Sequence, residues 1–189
     1  MSTPVGVVVL VTGSRGAGKT AFCRRLLQAT RDSCPSVAAA GVLSPKVFEQ
    51  GREAAIDLVD VATGRRRRLA TPTEGCDGPE PPATPRWRFD AAALDWGDRL
   101  LGGATPCDLL IVDELGILEL EQSRGWRNGL GAVDSRAFGA AFVVVRPRLL
   151  AVALQRWPMS RLIRIHGPDT VEPATRRAAA RVVSLLTGS

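Results

Sequence analysis

Apolar residues recur along the chain in short continuous runs that alternate with longer, mixed segments. Runs of this kind, rich in β-branched residues, are typical of strands buried on both faces of a sheet. They predict strands at residues 5–12, 37–43, 109–112, 140–145 and 162–165. Two more segments, 53–61 and 66–70, flank the turn-forming pair Thr63-Gly64 and predict an antiparallel hairpin, and a short strand is predicted at 87–89.

The segments between the strands carry helix signals. Helices are predicted at residues 20–30, 90–102, 149–157 and 173–186, the second with Asp90 as its N-cap. Residues 71–85 hold five of the thirteen prolines and are predicted to form a loop. This alternation predicts an α/β fold: a mostly parallel sheet with helices on both faces and an antiparallel hairpin at one edge. Residues 1–189 are interpreted as one domain.

The composition is that of an ordinary globular protein. Of the 189 residues, 45% are hydrophobic and 23% are charged. No run approaches the roughly 18 apolar residues that a membrane span needs. The apolar start of the chain is followed by a glycine-rich loop and has no basic segment before it, which argues against a signal peptide. We therefore expect a cytoplasmic protein that does not contact a membrane.

The net charge of +6 raises the question of nucleic-acid binding. Only Lys19 and Lys46 are lysines among the 25 basic residues, a bias that resembles a codon effect, and nucleic acid is not expected as a partner. The one dense run, residues 65–68, is interpreted as a solvated hairpin end, with a contact to phosphate or another polyanion as the alternative. The four cysteines, Cys23, Cys34, Cys76 and Cys107, form no C-x-x-C pair and predict no zinc site. The single histidine, His166, is expected to be structural.

The strongest chemical signal follows the first predicted strand. The residues there fit the phosphate-binding pattern G-x-x-x-x-G-K-[ST] at every fixed position and read Gly13-Ser14-Arg15-Gly16-Ala17-Gly18-Lys19-Thr20. Glycines let successive amide groups of this P-loop, with Ala21 of the following helix, point at an anion near the helix N-terminus. The pattern predicts that Lys19 reaches the β- and γ-phosphates of a nucleoside triphosphate and that the Thr20 hydroxyl binds Mg²⁺.

A second signal closes the strand predicted at 109–112. Four apolar residues are followed by Asp113 and Glu114, the pattern of a Walker B element. Asp113 is predicted to hold Mg²⁺, directly or through water. Glu114 is predicted to orient or deprotonate the attacking water. Both carboxylates would lie beside the P-loop, because parallel strands present their carboxyl ends at one edge of the sheet.

Together these motifs resemble the THEP1-type nucleoside triphosphatases, a P-loop group related in fold to RecA-like ATPases. The resemblance covers roughly residues 5–165. Besides the P-loop it rests on 41–47, 51–52, 56–60, 63–64 and 69–70, and it is most specific at 113–120, close to the family's D-E-[IL]-G-x-[ML]-E pattern. It implies a three-layer P-loop NTPase fold, Mg²⁺-dependent hydrolysis of ATP, GTP or related triphosphates with broad base specificity, and a position for Glu119 near the nucleotide.

The sequence departs from the family's pattern in three places, one of which is the tract 124–135, richer in glycine than expected. After the second strand it reads Ser44-Pro45-Lys46, where acidic and arginine residues are frequent. After the strand ending at residue 145 it has Arg146, where many members have a histidine; Arg146 is a candidate arginine finger, with an ordinary surface arginine as the alternative. Trp126, in a glycine-rich tract interpreted as a loop, is a candidate for stacking on a base, with packing as the alternative.

Two other functions remain open from the sequence alone. A P-loop kinase would transfer the phosphoryl group to a bound acceptor, whose own phosphate Arg124, Arg127, Arg146 and Arg148 would hold. A non-enzymatic switch or adaptor of the GTPase type would explain the D-x-x-G match at 113–116, although no N-K-x-D motif occurs. Phosphate release without an acceptor separates the first from a triphosphatase, and strong GTP preference would favour the second.

Overall fold

The computed structural model describes residues 6–73, 86–120 and 125–188. Nine strands within these ranges form one sheet. The strands are β1 (Val7–Thr12), β2 (Ala39–Leu43), β3 (Lys46–Glu49), β4 (Arg52–Asp60), β5 (Arg66–Pro72), β6 (Trp87–Phe89), β7 (Cys107–Leu115), β8 (Phe138–Val145) and β9 (Arg161–Arg164). The helices are α1 (Lys19–Ser33), α2 (Ala91–Gly102), α3 (Ile117–Leu120), α4 (Arg127–Asp134), α5 (Leu150–Arg156) and α6 (Pro168–Thr187), with a 3-10 turn at Pro147–Leu149 before α5.

The strands lie in the order β6-β5-β4-β2-β7-β8-β1-β9, with β3 paired to β4. In this order the five adjacent strands β2, β7, β8, β1 and β9 are parallel to one another. On the other side of β2, the strands β3, β4, β5 and β6 form antiparallel pairs. The carboxyl ends of β1, β7, β8 and β9 therefore share one edge of the sheet. This confirms the predicted fold, and the antiparallel part is larger than one hairpin.

The sheet has apolar residues on both faces, so helices pack against each face. One core joins β7 and β8 to α2, α4 and α5 through buried residues such as Leu101, Val133 and Trp157. The other joins β1 and β7 to α1 and α6 through residues such as Phe22 and Val182. A sheet buried on both sides needs the near-continuous apolar strands that the sequence shows.

The main departures from the predicted elements are a displaced helix start, an unpredicted strand and a helix in a tract interpreted as a loop. Helix α6 begins at Pro168 instead of residue 173, because Pro168 occupies the first turn, where a missing N–H costs nothing, and Pro173 is tolerated inside the helix. Strand β3 was not predicted. Residues 127–134 form helix α4, although the surrounding tract was interpreted as a loop; Gly129 packs there against Leu101 and Leu115.

The predicted loop at 71–85 lies mostly outside the described residues, at 74–85, while its first two residues belong to β5. Within the described ranges, no helix is both long and apolar enough to cross a membrane.

Candidate active site

The P-loop connects β1 to α1 in a conformation that only glycine adopts easily. Gly13, Gly16 and Gly18 have φ angles of 156°, 80° and 103°. At Gly13 a Cβ atom would lie 2.1 Å from the carbonyl oxygen of Ile165, so the loop also needs the absence of a side chain there. The loop therefore brings its amide groups to the N-terminus of α1, where the helix dipole favours an anion.

Lys19 folds over this loop. Its ammonium group donates hydrogen bonds to the carbonyl oxygens of Gly13, at 2.8 Å, and Ser14, at 3.0 Å. Partial burial lowers the pKa of Lys19, while the charges of Glu114 and Asp113 act in the opposite direction. The positive charge is thus held at the mouth of the loop, between the backbone and the two carboxylates.

Asp113 lies at the end of β7 and is only 2% exposed. Burial raises its pKa to about 6, although hydrogen bonds from the Ser44 backbone and the Thr20 hydroxyl lower it. The Ser44 amide donates to Oδ2 at 3.1 Å, and the Ser44 hydroxyl donates to the Asp113 carbonyl at 2.5 Å. The loop after β2 therefore fixes this carboxylate against the start of α1.

The pair formed by Thr20 and Asp113 fits a divalent cation. A hydroxyl and a carboxylate are hard oxygen ligands, and Mg²⁺ is usually bound by one or two such protein groups together with phosphate oxygens and water. A buried carboxylate with a raised pKa is a group whose charged form a cation would stabilise. The residues present therefore suit the ion that the sequence predicts.

Glu114 points to a different partner from its neighbour. Arg146, just beyond the end of β8, donates a hydrogen bond from Nε to Glu114 Oε1 at 2.5 Å. Glu114 is partly exposed and Arg146 more so. Because β7 and β8 are adjacent and parallel, their ends bring the candidate water-activating carboxylate and the candidate finger together. Both charges are felt at Lys19: the charge of Glu114 raises the pKa of Lys19, and the charge of Arg146 lowers it.

Glu119 and Trp126 have positions that change their interpretation. Glu119 is 8% exposed and accepts hydrogen bonds from the amide groups of Gly116, at 2.7 Å, and Trp126, at 3.0 Å. It therefore ties together the chain on either side of α3. Trp126 is 4% exposed, packs in the core and donates its indole N–H to the Leu94 carbonyl at 3.2 Å. A side chain buried in this way is not available to stack on a base, which agrees with the packing alternative.

The structure also shows a charged cluster that the sequence did not reveal. Glu53, on β4, accepts hydrogen bonds from Arg15 of the P-loop at 3.2 Å, from Arg86 at 2.9 Å and from Lys46 of β3. The Lys46 charge is also close enough to lower the pKa of Lys19. The antiparallel strands thus place additional positive charge beside the phosphate loop.

The other arginines proposed to hold an acceptor phosphate come from different parts of the chain. Arg127 begins α4, Arg148 lies in the turn after β8, and Arg124 lies outside the described residues.

In the basic run at residues 65–68, Arg68 pairs with Asp57 at 2.8 Å and Arg67 lies 5.0 Å from the centre of the Trp96 ring. These contacts agree with a hairpin end whose arginines lie along the sheet surface.

Two solved structures have folds similar to that of this chain. A human cancer-related nucleoside triphosphatase superposes with a TM-score of 0.62 at 19% identity, over 97% of this chain and 99% of that one. THEP1 from Aquifex aeolicus gives a TM-score of 0.59 at 14% identity, over 93% of this chain and 99% of that one. At these identities the similarity establishes the fold.

Sequence comparison is more specific. The family model described as NTPase matches residues 8–133. The chain is 31% identical over 130 residues to the nucleoside-triphosphatase THEP1 of Methanothermobacter thermautotrophicus, which covers 67% of this chain and 70% of that protein. It is 25% identical over 114 residues to THEP1 of Methanosarcina barkeri, and here it spans 62% of the relative's length. These matches and the P-loop geometry show that the chain belongs to the THEP1-type family of P-loop NTPases.

Proposed function

We propose that this protein hydrolyses nucleoside triphosphates such as ATP and GTP to the diphosphate and phosphate, with Mg²⁺ as cofactor. The observation that carries the proposal is one connected group: the P-loop, Lys19, and the hydrogen-bonded Thr20 and Asp113, with Glu114 next along β7. The names of the relatives, nucleoside-triphosphatases, support the same activity.

Binding would begin at the P-loop. Its amide groups would surround the α- and β-phosphates at the N-terminus of α1. The Lys19 ammonium, which here bonds the Gly13 and Ser14 carbonyls, would exchange those contacts for the β- and γ-phosphate oxygens. The Thr20 hydroxyl and Asp113 would hold Mg²⁺, which when bound neutralises charge on the β- and γ-phosphates.

Hydrolysis needs a water in line with the γ-phosphorus. Glu114 would accept a proton from this water. At the same time the water oxygen would bond to the γ-phosphorus, and the bond from that phosphorus to the β,γ-bridging oxygen would break. In the present arrangement Arg146 holds one oxygen of Glu114. We propose that Arg146 turns to the γ-phosphate when nucleotide binds, which frees Glu114 for water and adds positive charge to the transferring group.

The proposal is tested by phosphate release from the four ribonucleoside triphosphates, with and without Mg²⁺ and without an acceptor. Lys19→Ala should abolish hydrolysis and weaken nucleotide binding. Glu114→Gln should retain binding and reduce turnover by about 100-fold, the scale of a lost general base. Glu49→Gln, a change at an exposed carboxylate of β3, is the matched control and should leave turnover unchanged.

Two outcomes would contradict the proposal. Turnover that appears only with an added phosphoryl acceptor would identify a kinase. Wild-type turnover in Glu114→Gln would remove that residue from its role.

A further inference from the structure

A cavity of about 230 Å³ opens beside the P-loop, on the β9 side and away from Asp113 and Glu114. It lies over the carboxyl ends of β1 and β9 and is lined by Thr12, Gly13, Ser14, Pro147, Arg164 and His166. The phosphate loop itself thus forms one wall. A ligand in this cavity would be continuous with any phosphate chain bound by the loop.

The strand order fixes which end of a nucleotide would reach this cavity. From β1, the strand that leads into the P-loop, Asp113 and Glu114 lie two strands away on β7, and β9 lies on the opposite side. The γ-phosphate must face Asp113 and Glu114, because hydrolysis takes place there. A triphosphate held in the loop therefore directs its α-phosphate, and whatever the α-phosphate carries, toward β9.

The floor of the cavity contains an unsatisfied polar group. Thr12 is 1% exposed, and its hydroxyl has no hydrogen-bond partner among the described residues. A buried hydroxyl without a partner carries a desolvation cost, which a rotation of the Thr12 side chain toward a ligand in the cavity would remove through a new hydrogen bond. Oxygen-rich groups such as ribose hydroxyls supply such bonds.

The walls of the cavity suit a flat aromatic ring. Arg164 and His166 are exposed at the end of β9, and each has a planar group that stacks on ring systems. Pro147 contributes an apolar surface from the turn after β8. The His166 amide donates a hydrogen bond to the Thr170 hydroxyl at 3.1 Å. This bond fixes the backbone of His166 just before α6.

We propose that this cavity receives the nucleoside end, ribose and base, of the triphosphate, with Arg164 and His166 as residues that contact it. The inference rests on the proposed function, because it takes its direction from the position of the γ-phosphate. It gives His166, expected from the sequence to be structural, a role in substrate binding.

Inorganic tripolyphosphate separates this site from the phosphate loop, because it carries the phosphates without the nucleoside. Dissociation constants for Mg²⁺-ATP and Mg²⁺-tripolyphosphate should be measured by calorimetry for the wild type, Arg164→Ala and His166→Ala. Each variant should bind ATP about tenfold more weakly and tripolyphosphate within about twofold of wild type, a loss within the range of one stacked base. Arg161→Ala, at the other end of β9, is the matched control and should bind both ligands normally.

His166→Trp gives a second readout that does not depend on lost affinity. A tryptophan in this cavity should have its fluorescence quenched by ATP, beyond the change seen in the wild type, and should not respond to tripolyphosphate. Equal losses for ATP and tripolyphosphate in the alanine variants would show that these residues contact phosphate, and unchanged ATP binding would place the nucleoside elsewhere; either result overturns the inference. If the wild type binds neither ligand, the proposed function fails first.

Discussion

Glu53 is surrounded by three cationic side chains that come from separate parts of the chain: the P-loop, β3 and the residue before β6. Partial burial raises the pKa of Glu53, but the hydrogen bond and charge of Lys46, followed by the charges of Arg86 and Arg15, outweigh it. The pKa therefore lies below the ordinary value. At 20% exposure the carboxylate is screened less than a surface group, so its ionisation should contribute to stability.

Glu53→Gln should make this contribution measurable. A carboxyl whose folded pKa is depressed stabilises the fold above its unfolded pKa and loses that effect as pH falls through the folded pKa. We expect the variant to be less stable than wild type by about 1 kcal/mol at neutral pH, with the difference disappearing in strong acid. Urea unfolding at both pH values tests this, with Glu49→Gln as the exposed control. A difference that persists in acid would show that the loss is not electrostatic.

Individual residues differ in how far the sequence reveals them. Lys19, Thr20 and Asp113 stand in patterns whose spacing follows from backbone geometry, and the structure brings them together. The Lys46–Glu53 pair joins residues of β3 and β4 across a register shift between Val47 and Phe48. Local composition carries no signal for such a shift, so the charged cluster could not be predicted.

At the scale of the element, the P-loop offers two glycines with different constraints. Gly13 has a positive φ, and a Cβ atom added there would lie 2.1 Å from a carbonyl oxygen, whereas a Cβ atom added at Gly16 would meet nothing within 4 Å. We expect Gly13→Ala to cost about 3 kcal/mol of stability, because strain and overpacking add. Gly16→Ala should cost about 1 kcal/mol, from the backbone conformation alone. Urea midpoints compare them, and equal costs would contradict the role of the Ile165 contact.

The strands of the sheet centre were predicted because each contains a continuous apolar run, which is a strong local signal. Strands β1, β7 and β8 each contain a continuous apolar run that only a doubly covered sheet can bury. Helix α4 contains Gly129 and Gly131, which have low helix propensity, and its formation depends on burying Leu130 and Val133 against the core. Tertiary packing overrides propensity there, and it also buries Trp126 in the same core.

At the scale of the whole molecule, helix α1 connects the P-loop to the hydrophobic core. The helix begins at Lys19, and Cys23, one turn later, is completely buried between the sheet and the helices. Burial, followed by the charge of Asp113, raises the pKa of the Cys23 thiol well above its ordinary value. Thiolate is the reactive form, so this thiol should react with an alkylating reagent only when the fold opens.

Alkylation of Cys23 therefore reports global opening, and a ligand of the folded state should slow it. Cys34, partly exposed after α1, should react rapidly in the native protein, and Cys107, whose pKa burial raises to about 11, more slowly. Saturation with Mg²⁺-ATP at about 100 times its dissociation constant should slow Cys23 labelling about 100-fold, because binding stabilises only the folded state. Cys34 should be unaffected. Peptide-resolved mass spectrometry follows each thiol separately, and nucleotide-independent labelling of Cys23 would show that P-loop occupancy does not stabilise the core on which the loop is built.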